Sequence, residues 1–202
     1  MDARIKAVSF DEENHKYWYN GKELHGVTGP IGKLMGKHFP DNDTVKLATM
    51  YGSDVHKEIE NYFNLHEHYF NDSSLSTEGA KWIVDTLKDF CSNVSDVLQG
   101  IECEVMVSDF EGTASKVDVV LTSRNGKAWL FDIKTTSHFD RAYCSLQLSV
   151  YKELFEANYG LSVQGMYVLG SKMKRTFRIL MQDKSKIQKV LDMNKEGLCL
   201  TN

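Results

Sequence analysis

The chain has 202 residues, of which 42% are hydrophobic and 11% aromatic, and its formal net charge is −4. This composition favours one folded domain over a disordered chain, and the charge argues against nucleic-acid binding through general positive charge. No apolar run approaches the roughly 20 residues that span a bilayer, and the N-terminus lacks an apolar signal-peptide core. We therefore expect a cytoplasmic protein with no membrane partner, compatible with a phage or bacterial origin.

The positions of the cysteines argue against a metal or iron–sulfur site built from thiolates. Cys91, Cys103, Cys144 and Cys199 are scattered along the chain, and no pair has the spacing of metal ligands. The pattern predicts free thiols and no iron–sulfur cluster.

The N-terminal part reads as β-structure followed by a short helix. Residues 7–28 alternate between apolar and polar side chains around an Asn20-Gly21 turn, which predicts a β-hairpin or small meander. The aromatic run at 17–19 either packs this hairpin on the domain or stacks on nucleic-acid bases. Residues 29–38 predict a short helix that ends before Pro40.

Residues 42–66 have apolar side chains at helical spacing and predict the first long helix. Gly52 lies inside it, His56 follows one turn later, and Glu60 lies one turn beyond on the same face. Taken alone, His56 is either a hydrogen-bonded structural histidine or a metal ligand. Glu60 is a lesser ligand candidate, because an exposed glutamate is ordinary on a helix.

A polar stretch separates this helix from the next. His66 and His68 resemble a chelating pair only in sequence, and we interpret 64–77 as a solvated loop. Residues 77–98 predict a second helix, capped by Ser76 or Thr77.

Residues 101–109 predict the first strand of the main sheet. Strand alternation puts Glu102 and Glu104 on one face, and Cys103 and Val105 on the other. Glu104 is then either a solvated glutamate or an additional ligand of the site that the following residues predict.

The stretch 112–151 organises the chain as strand, tight turn, strand, loop and helix. Charged residues interrupt its apolar strands at Asp118, Asp132 and Lys134. Burial of a carboxylate is costly unless it is paired or binds a cation. Asp132 and Lys134 are two residues apart, so they share one face of their strand.

The Asn125-Gly126 turn allows two registers for this hairpin. A two-residue loop places Asp118 opposite Ile133, on the other face from Asp132. A three-residue loop beginning at Arg124 places Asp118 opposite Asp132 and uses Gly126 at its positive-φ position. We expect the second register, in which a divalent ion between the two carboxylates relieves their repulsion.

The third helix is predicted over 141–159, with Gly160 as its C-cap. A strand and then the most basic stretch of the chain follow. In that stretch Lys172, Lys174 and Arg175 either contact phosphates or belong to a solvated edge hairpin. The C-terminus predicts an amphipathic helix or a tail.

Several of these motifs together resemble a known enzyme family. Asp118 followed by Asp132-Ile133-Lys134 resembles the signature of the PD-(D/E)XK nucleases. Gln147 and Tyr151, four residues apart on the third helix, resemble the Gln/Tyr motif of the RecB-type branch. The segment 52–56 resembles the helical motif of that branch, which ends in a histidine.

The resemblance extends over most of residues 8–170. The Val27-Thr28 stretch after a hairpin is similar to the leader of phage exonucleases and of the mitochondrial genome maintenance exonuclease. Two positions depart from the family: Val117 stands where the founding motif has proline, and Ser115 where many relatives have glycine. Neither departure removes a metal ligand.

The resemblance implies a site with one or two Mg²⁺ or Mn²⁺ ions. Its ligands would be His56, Asp118, Asp132 and the Ile133 carbonyl, with Glu104 and Glu60 as additional candidates. The catalytic set would be Asp118, Asp132, Lys134, Gln147 and Tyr151. Lys134 would orient the attacking water, stabilise developing charge or act as the base, and the sequence leaves these three roles open.

We expect an α/β fold with a restriction-endonuclease-like core: a central mixed sheet of four or five strands, flanked by helices and preceded by an N-terminal hairpin. The chain would form a single nuclease domain, 1–202. Within it, 1–40 would be the N-terminal extension, 41–180 the catalytic core, and 181–202 the C-terminal helix or tail.

The expected function is a metal-dependent DNA nuclease: an exonuclease, or an enzyme processing DNA ends or single strands in recombination, repair or phage DNA metabolism. The main alternative is a catalytically weak or inactive nucleic-acid-binding or inhibitory module on the same fold. A structural protein and a hydrolase of a smaller substrate are further alternatives. DNA is the expected partner, and an oligomer or a protein partner stays open.

Overall fold

The computed structural model describes residues 1–37, 43–65, 75–94 and 97–197. Its N-terminal part begins with a short 3-10 helix, Ala3–Ala7, and a three-stranded antiparallel sheet. These strands are β1 (Ser9–Asp11), β2 (Lys16–Tyr19) and β3 (Lys22–Leu24). Three helices follow: α1 (Thr28–Leu34), α2 (Asp43–Leu65) and α3 (Glu78–Asn93).

The rest of the chain builds the main sheet and the helices that cover one of its faces. Its strands are β4 (Leu98–Ser108), β5 (Ala114–Ser123), β6 (Lys127–Lys134), β7 (Ser162–Gly170) and β8 (Arg175–Ile179). Helix α4 (Arg141–Tyr159) connects β6 to β7, and α5 (Lys184–Lys195) follows β8.

The five strands lie in sequence order, and all neighbours are antiparallel except β6 and β7. Parallel neighbours need a long crossover, and α4 supplies it. The predicted mixed α/β fold, with a four- to five-stranded sheet, flanking helices and an N-terminal hairpin, is therefore confirmed.

Helices cover both faces of the main sheet. On one face, Leu121 and Phe131 share a buried cluster with Ile59 of α2 and Leu87 of α3. On the other face the cluster contains residues of α1, α4 and α5, among them Ile31, Leu148 and Val190. Burial of apolar side chains on both faces explains why the strands read as nearly continuous hydrophobic runs.

The β5–β6 hairpin has the expected register. Val119 lies opposite Phe131 and Leu121 opposite Trp129, which is the pairing that a three-residue loop produces. Gly126 takes φ +77°, the left-handed conformation that the loop requires. Asp118 and Asp132 are the next positions of this register, one residue beyond the last backbone pair.

The prediction for the second helix was too long. Helix α3 ends at Asn93, and Leu98 is already in β4, where it pairs with Ser123 of β5. Apolar spacing alone could not mark this boundary, since Leu98 suits a strand as well as a helix. Among the described residues, no helix combines the length and apolarity that a bilayer crossing requires.

Some sequence-based interpretations lie outside the described residues. These are the loop containing His66 and His68, and Cys199. The three described cysteines are free thiols, as predicted. Burial raises the pKa of Cys91 to about 11 and that of Cys144 to about 12.

The end of α5 packs closely on the turn between β4 and β5. A Cβ atom at Gly112 would lie 2.6 Å from the backbone nitrogen of Lys195. Next to it the buried Asn194 amide donates to the His25 carbonyl and the Thr113 hydroxyl, each at 3.1 Å. Gly112 thus permits a contact between two backbones that leaves no space for a side chain.

We expect Gly112→Ala to lower the free energy of unfolding by about 1–3 kcal/mol, because the backbone of α5 must move to admit the methyl group. Urea denaturation measures this. Gly100→Ala in β4 is the matched control, since its Cβ would meet no atom closer than 3.8 Å. If the two variants were equally stable, the close packing of Gly112 against the backbone of Lys195 would not contribute to stability.

Candidate metal centre

Three side chains from different elements meet at one end of the β5–β6 hairpin. His56 comes from α2, Glu104 from β4 and Asp118 from β5, and their ligand atoms all lie within 4.8 Å of one another. His56 Nδ1 is 3.8 Å from Glu104 Oε1 and 3.9 Å from Asp118 Oδ1. One imidazole and two carboxylates are a donor set that suits a divalent cation such as Mn²⁺ or Mg²⁺.

Glu104 reaches this group through an irregular backbone. It takes φ +54° within β4, a left-handed conformation that is uncommon for a residue other than glycine. As a result Cys103 packs against the cluster of α2 and α3, whereas Val105 belongs to the cluster of α4. The prediction that Cys103 and Val105 share a face was therefore wrong, because regular alternation breaks at Glu104.

Asp132 lies on β6 next to this group. It is 2% exposed, and Lys134 Nζ lies 2.9 Å from its Oδ1 and 2.8 Å from its Oδ2. Only the Oδ1 contact has hydrogen-bond geometry, so the buried Oδ2 accepts no hydrogen bond from the described residues. Asp132 lies outside the group of His56, Glu104 and Asp118, but it is close enough to Asp118 and His56 for their charges to act on the pKa of its carboxyl group.

The two aspartates are linked through the backbone of β6. The Ile133 N–H donates to Asp118 Oδ2 at 2.6 Å. Asp118 is thus hydrogen-bonded to the backbone amide of the residue that follows Asp132. Burial raises the pKa of both Asp118 and Asp132, and the nearby His56 and Lys134 charges oppose that rise.

The excess of carboxylates also acts on the histidine. Burial by itself would lower the pKa of His56, but the charges of Asp118, Glu104 and Asp132 outweigh it and raise the pKa to about 9. The site thus attracts positive charge strongly, whether a proton or a metal ion provides it.

Gln147 and Tyr151 lie on the same side of α4 and contact each other. Gln147 Nε2 donates to Tyr151 Oη at 3.0 Å, and Ser115 Oγ donates to the same oxygen at 3.1 Å. Both side chains are buried, and Gln147 Oε1 has no hydrogen bond from the described residues. Tyr151 lines the cleft that His56, Glu104 and Asp118 also line.

This cleft has a volume of about 420 Å³, and the N-terminal sheet forms its far wall. Phe10, His15 and Tyr17 line that wall; Tyr17 is buried, as packing of the aromatic run predicts. Sequence reasoning also missed Lys116, whose Nζ lies 3.7 Å from Glu104 Oε2 and 4.2 Å from the Phe10 ring centre. Lys116 lies two residues before Asp118 on the same strand, and this spacing could have predicted that it lies near the site.

The other candidate residues lie farther out. Glu60 pairs with Lys57 at 2.9 Å and lines a neighbouring cleft together with His56 and Glu104. Lys172 and Lys174 line a third cleft beyond the end of β6, and Arg175 is exposed at the start of β8.

The sequence matches no protein-family model and no curated protein. Among solved structures, it is similar to the crystal structure of a protein from Eubacterium rectale called "Putative exonuclease". The match has 15% sequence identity and a TM-score of 0.45, and it covers 94% of this chain and 84% of that chain. A likeness at this level supports no conclusion about function.

We expect Glu104→Gln to weaken Mn²⁺ binding by at least about tenfold, because it removes one charged ligand from the group. Titration calorimetry of the metal-free protein with MnCl₂ measures this without any substrate. Glu102→Gln is the matched control, since Glu102 is an exposed glutamate on the same strand. Wild-type affinity in Glu104→Gln would exclude Glu104 as a ligand.

Proposed function

We propose that this protein is a metal-dependent DNA nuclease of the PD-(D/E)XK type, similar to the RecB-type and phage exonucleases. The proposal rests on one observation: His56, Glu104 and Asp118 converge beside the buried Asp132–Lys134 pair. The reaction would be hydrolysis of a phosphodiester bond, at DNA ends or in single strands. We also propose that residues 1–202 form a single domain and that the protein is cytoplasmic.

The metal ligands we propose are His56, Glu104, Asp118 and Asp132, with the Ile133 carbonyl and Glu60 as further candidates. One or two Mg²⁺ or Mn²⁺ ions held there would supply an activated water and neutralise charge on the scissile phosphate. The proximity of the His56, Glu104 and Asp118 donor atoms, and the nearness of Asp132 to Asp118 and His56, support this assignment.

Lys134 would provide positive charge next to the reacting phosphate. Its ammonium group is fixed by both oxygens of Asp132, so little reorganisation is needed when negative charge develops on the phosphate oxygens. Tyr151 and Gln147 would position the DNA strand by hydrogen bonding, with Tyr151 in the lining of the cleft and Gln147 donating to its hydroxyl. Lys172, Lys174 and Arg175 would contact phosphates away from the bond that is cut.

The charge of the site explains why the reaction would need a cation. Glu104, Asp118 and Asp132 would repel a phosphate that approached without a metal ion, because the three carboxylates lie near one another. Placement of the scissile phosphate at the metal centre and catalysis should therefore depend on the same ion.

We expect the protein to cleave end-labelled single- or double-stranded DNA with Mg²⁺ or Mn²⁺, and EDTA to stop the reaction. Asp132→Ala and Lys134→Ala should each reduce the rate by about 100-fold or more, since the first removes a proposed metal ligand and the second removes the positive charge that would face the reacting phosphate. Gel analysis of the products over time measures the rate. Lys127→Ala is the matched control, because Lys127 is an exposed lysine of β6 at the other end of the strand.

Two results would contradict this assignment. Cleavage that survives both substitutions would show that another site performs the chemistry. DNA binding without cleavage under every metal would favour the catalytically inactive binding or inhibitory module instead.

A further inference from the structure

The third cleft, which Lys172 and Lys174 line, opens beyond the end of β6 between α2, the start of α3 and the turn that joins β7 to β8. Its volume is about 680 Å³. Its lining combines apolar, hydroxyl and basic side chains, chiefly Leu47, Tyr51, Thr135, Ser171, Lys172 and Lys174. The lining also includes one carboxylate, Glu78, which pairs with Lys81 at 3.4 Å.

The cleft is adjacent to the residues of the proposed reaction. Thr135 follows Lys134 directly, and the Ser171 N–H donates to the Lys134 carbonyl at 3.0 Å. A Cβ atom at Gly52 would lie only 3.1 Å from Thr135 Oγ1, so α2 passes close to the end of β6. A strand with its scissile phosphate near Lys134 would continue into this cleft.

Apolar and aromatic surface is exposed on the α2 side of the cleft. Leu47 is 68% exposed and Tyr51 40% exposed, which is unusual for large hydrophobic side chains that line a concave surface. An accessible tyrosine ring in a groove with positive charge is the arrangement that single-strand-binding proteins use to stack bases.

The opposite side of the cleft is basic. Within the described part of the chain, neither Lys172 nor Lys174 forms an ion pair, so both charges are available to a ligand. Lys174 takes φ +49°, a conformation that glycine would adopt at lower cost, yet the position holds a cation. The Ser171 hydroxyl is buried in the same wall without a hydrogen-bond partner among the described residues.

The protein itself occupies part of the N-terminus of α3. Glu58 accepts hydrogen bonds from the backbone N–H groups of Ser76 and Thr77, each at 3.0 Å, and the Thr77 hydroxyl accepts from Ala80. These acceptors take three of the donors at this end of the helix. The two lysines carry the full positive charges that would attract an anion here.

We propose that this cleft binds an unpaired nucleotide of the DNA strand next to the bond that is cut, and that the enzyme therefore prefers single-stranded DNA. The inference rests on the proposed nuclease function. The base would stack on Tyr51, and Lys172 and Lys174 would contact the flanking phosphates. A base inside a duplex has both faces stacked, so only an unpaired or terminal base can reach the tyrosine ring.

Fluorescence polarisation with a short labelled oligothymidylate in EDTA tests the cleft without cleavage. Tyr51→Ala should weaken binding by about fivefold or more, whereas Tyr51→Phe, which keeps the ring, should stay within about twofold of wild type. Lys172→Ala should weaken binding and reduce the slope of log affinity against log salt by about 0.7, the value for one phosphate contact on a single strand.

Lys174→Gly separates charge from structure at the turn. It should weaken binding while leaving the melting temperature unchanged or higher, because glycine tolerates the left-handed conformation. Lys184→Ala, the same charge change on an exposed lysine of α5, should bind like wild type.

The outcomes also distinguish this inference from the proposed function. Tighter binding of a blunt duplex than of the single strand, or wild-type affinity in Tyr51→Ala and both lysine variants, would overturn the cleft assignment even if the protein cleaves DNA. The expected binding pattern in a protein that cleaves no DNA with any metal would overturn the nuclease function and leave the cleft as a single-strand-binding site.

Discussion

The register of the β5–β6 hairpin is the constraint on which the site depends. A shift of one residue would turn every side chain of one strand to the opposite face, separating Asp118 from Asp132 and moving Phe131 away from α2 and α3. The three-residue loop with Gly126 at φ +77° selects the register in which apolar residues pack on α2 and α3. The same pairing brings the two aspartates to neighbouring positions, so packing of the core and assembly of the site are one event.

One buried carboxylate, Asp132, near two half-buried ones, Glu104 and Asp118, is costly without compensation. His56 and Lys134 supply two positive groups, and the Ile133 amide supplies a hydrogen bond. Asp132 Oδ2 still lacks a hydrogen-bond donor among the described residues, and Glu104 holds a left-handed backbone. Unfavourable local features of this kind persist where the surrounding structure enforces them, and they concentrate at functional sites.

The sequence was sufficient for features that depend on short-range patterns. The hairpin register followed from one turn dipeptide, and the positions of Asp132 and Lys134 followed from strand alternation. Two features required information that no local pattern contains. Glu104 reaches the site because the backbone leaves the regular strand conformation, which the residue type does not indicate. The N-terminal sheet forms a wall of the cleft through contacts between residues distant in sequence, such as Lys116 and Phe10.

Helix α2 connects the metal centre to the neighbouring cleft. Tyr51 lines the cleft, Gly52 lies against Thr135, and His56 belongs to the ligand group, so six consecutive residues of one helix span both sites. Glycine inside a helix costs about 1 kcal/mol relative to alanine, and here its missing side chain permits the close approach of α2 to the end of β6. Because a helix is rigid over this length, the distance between Tyr51 and His56 is fixed before any ligand binds. A strand held at the tyrosine would therefore meet the ligand group at a constant spacing.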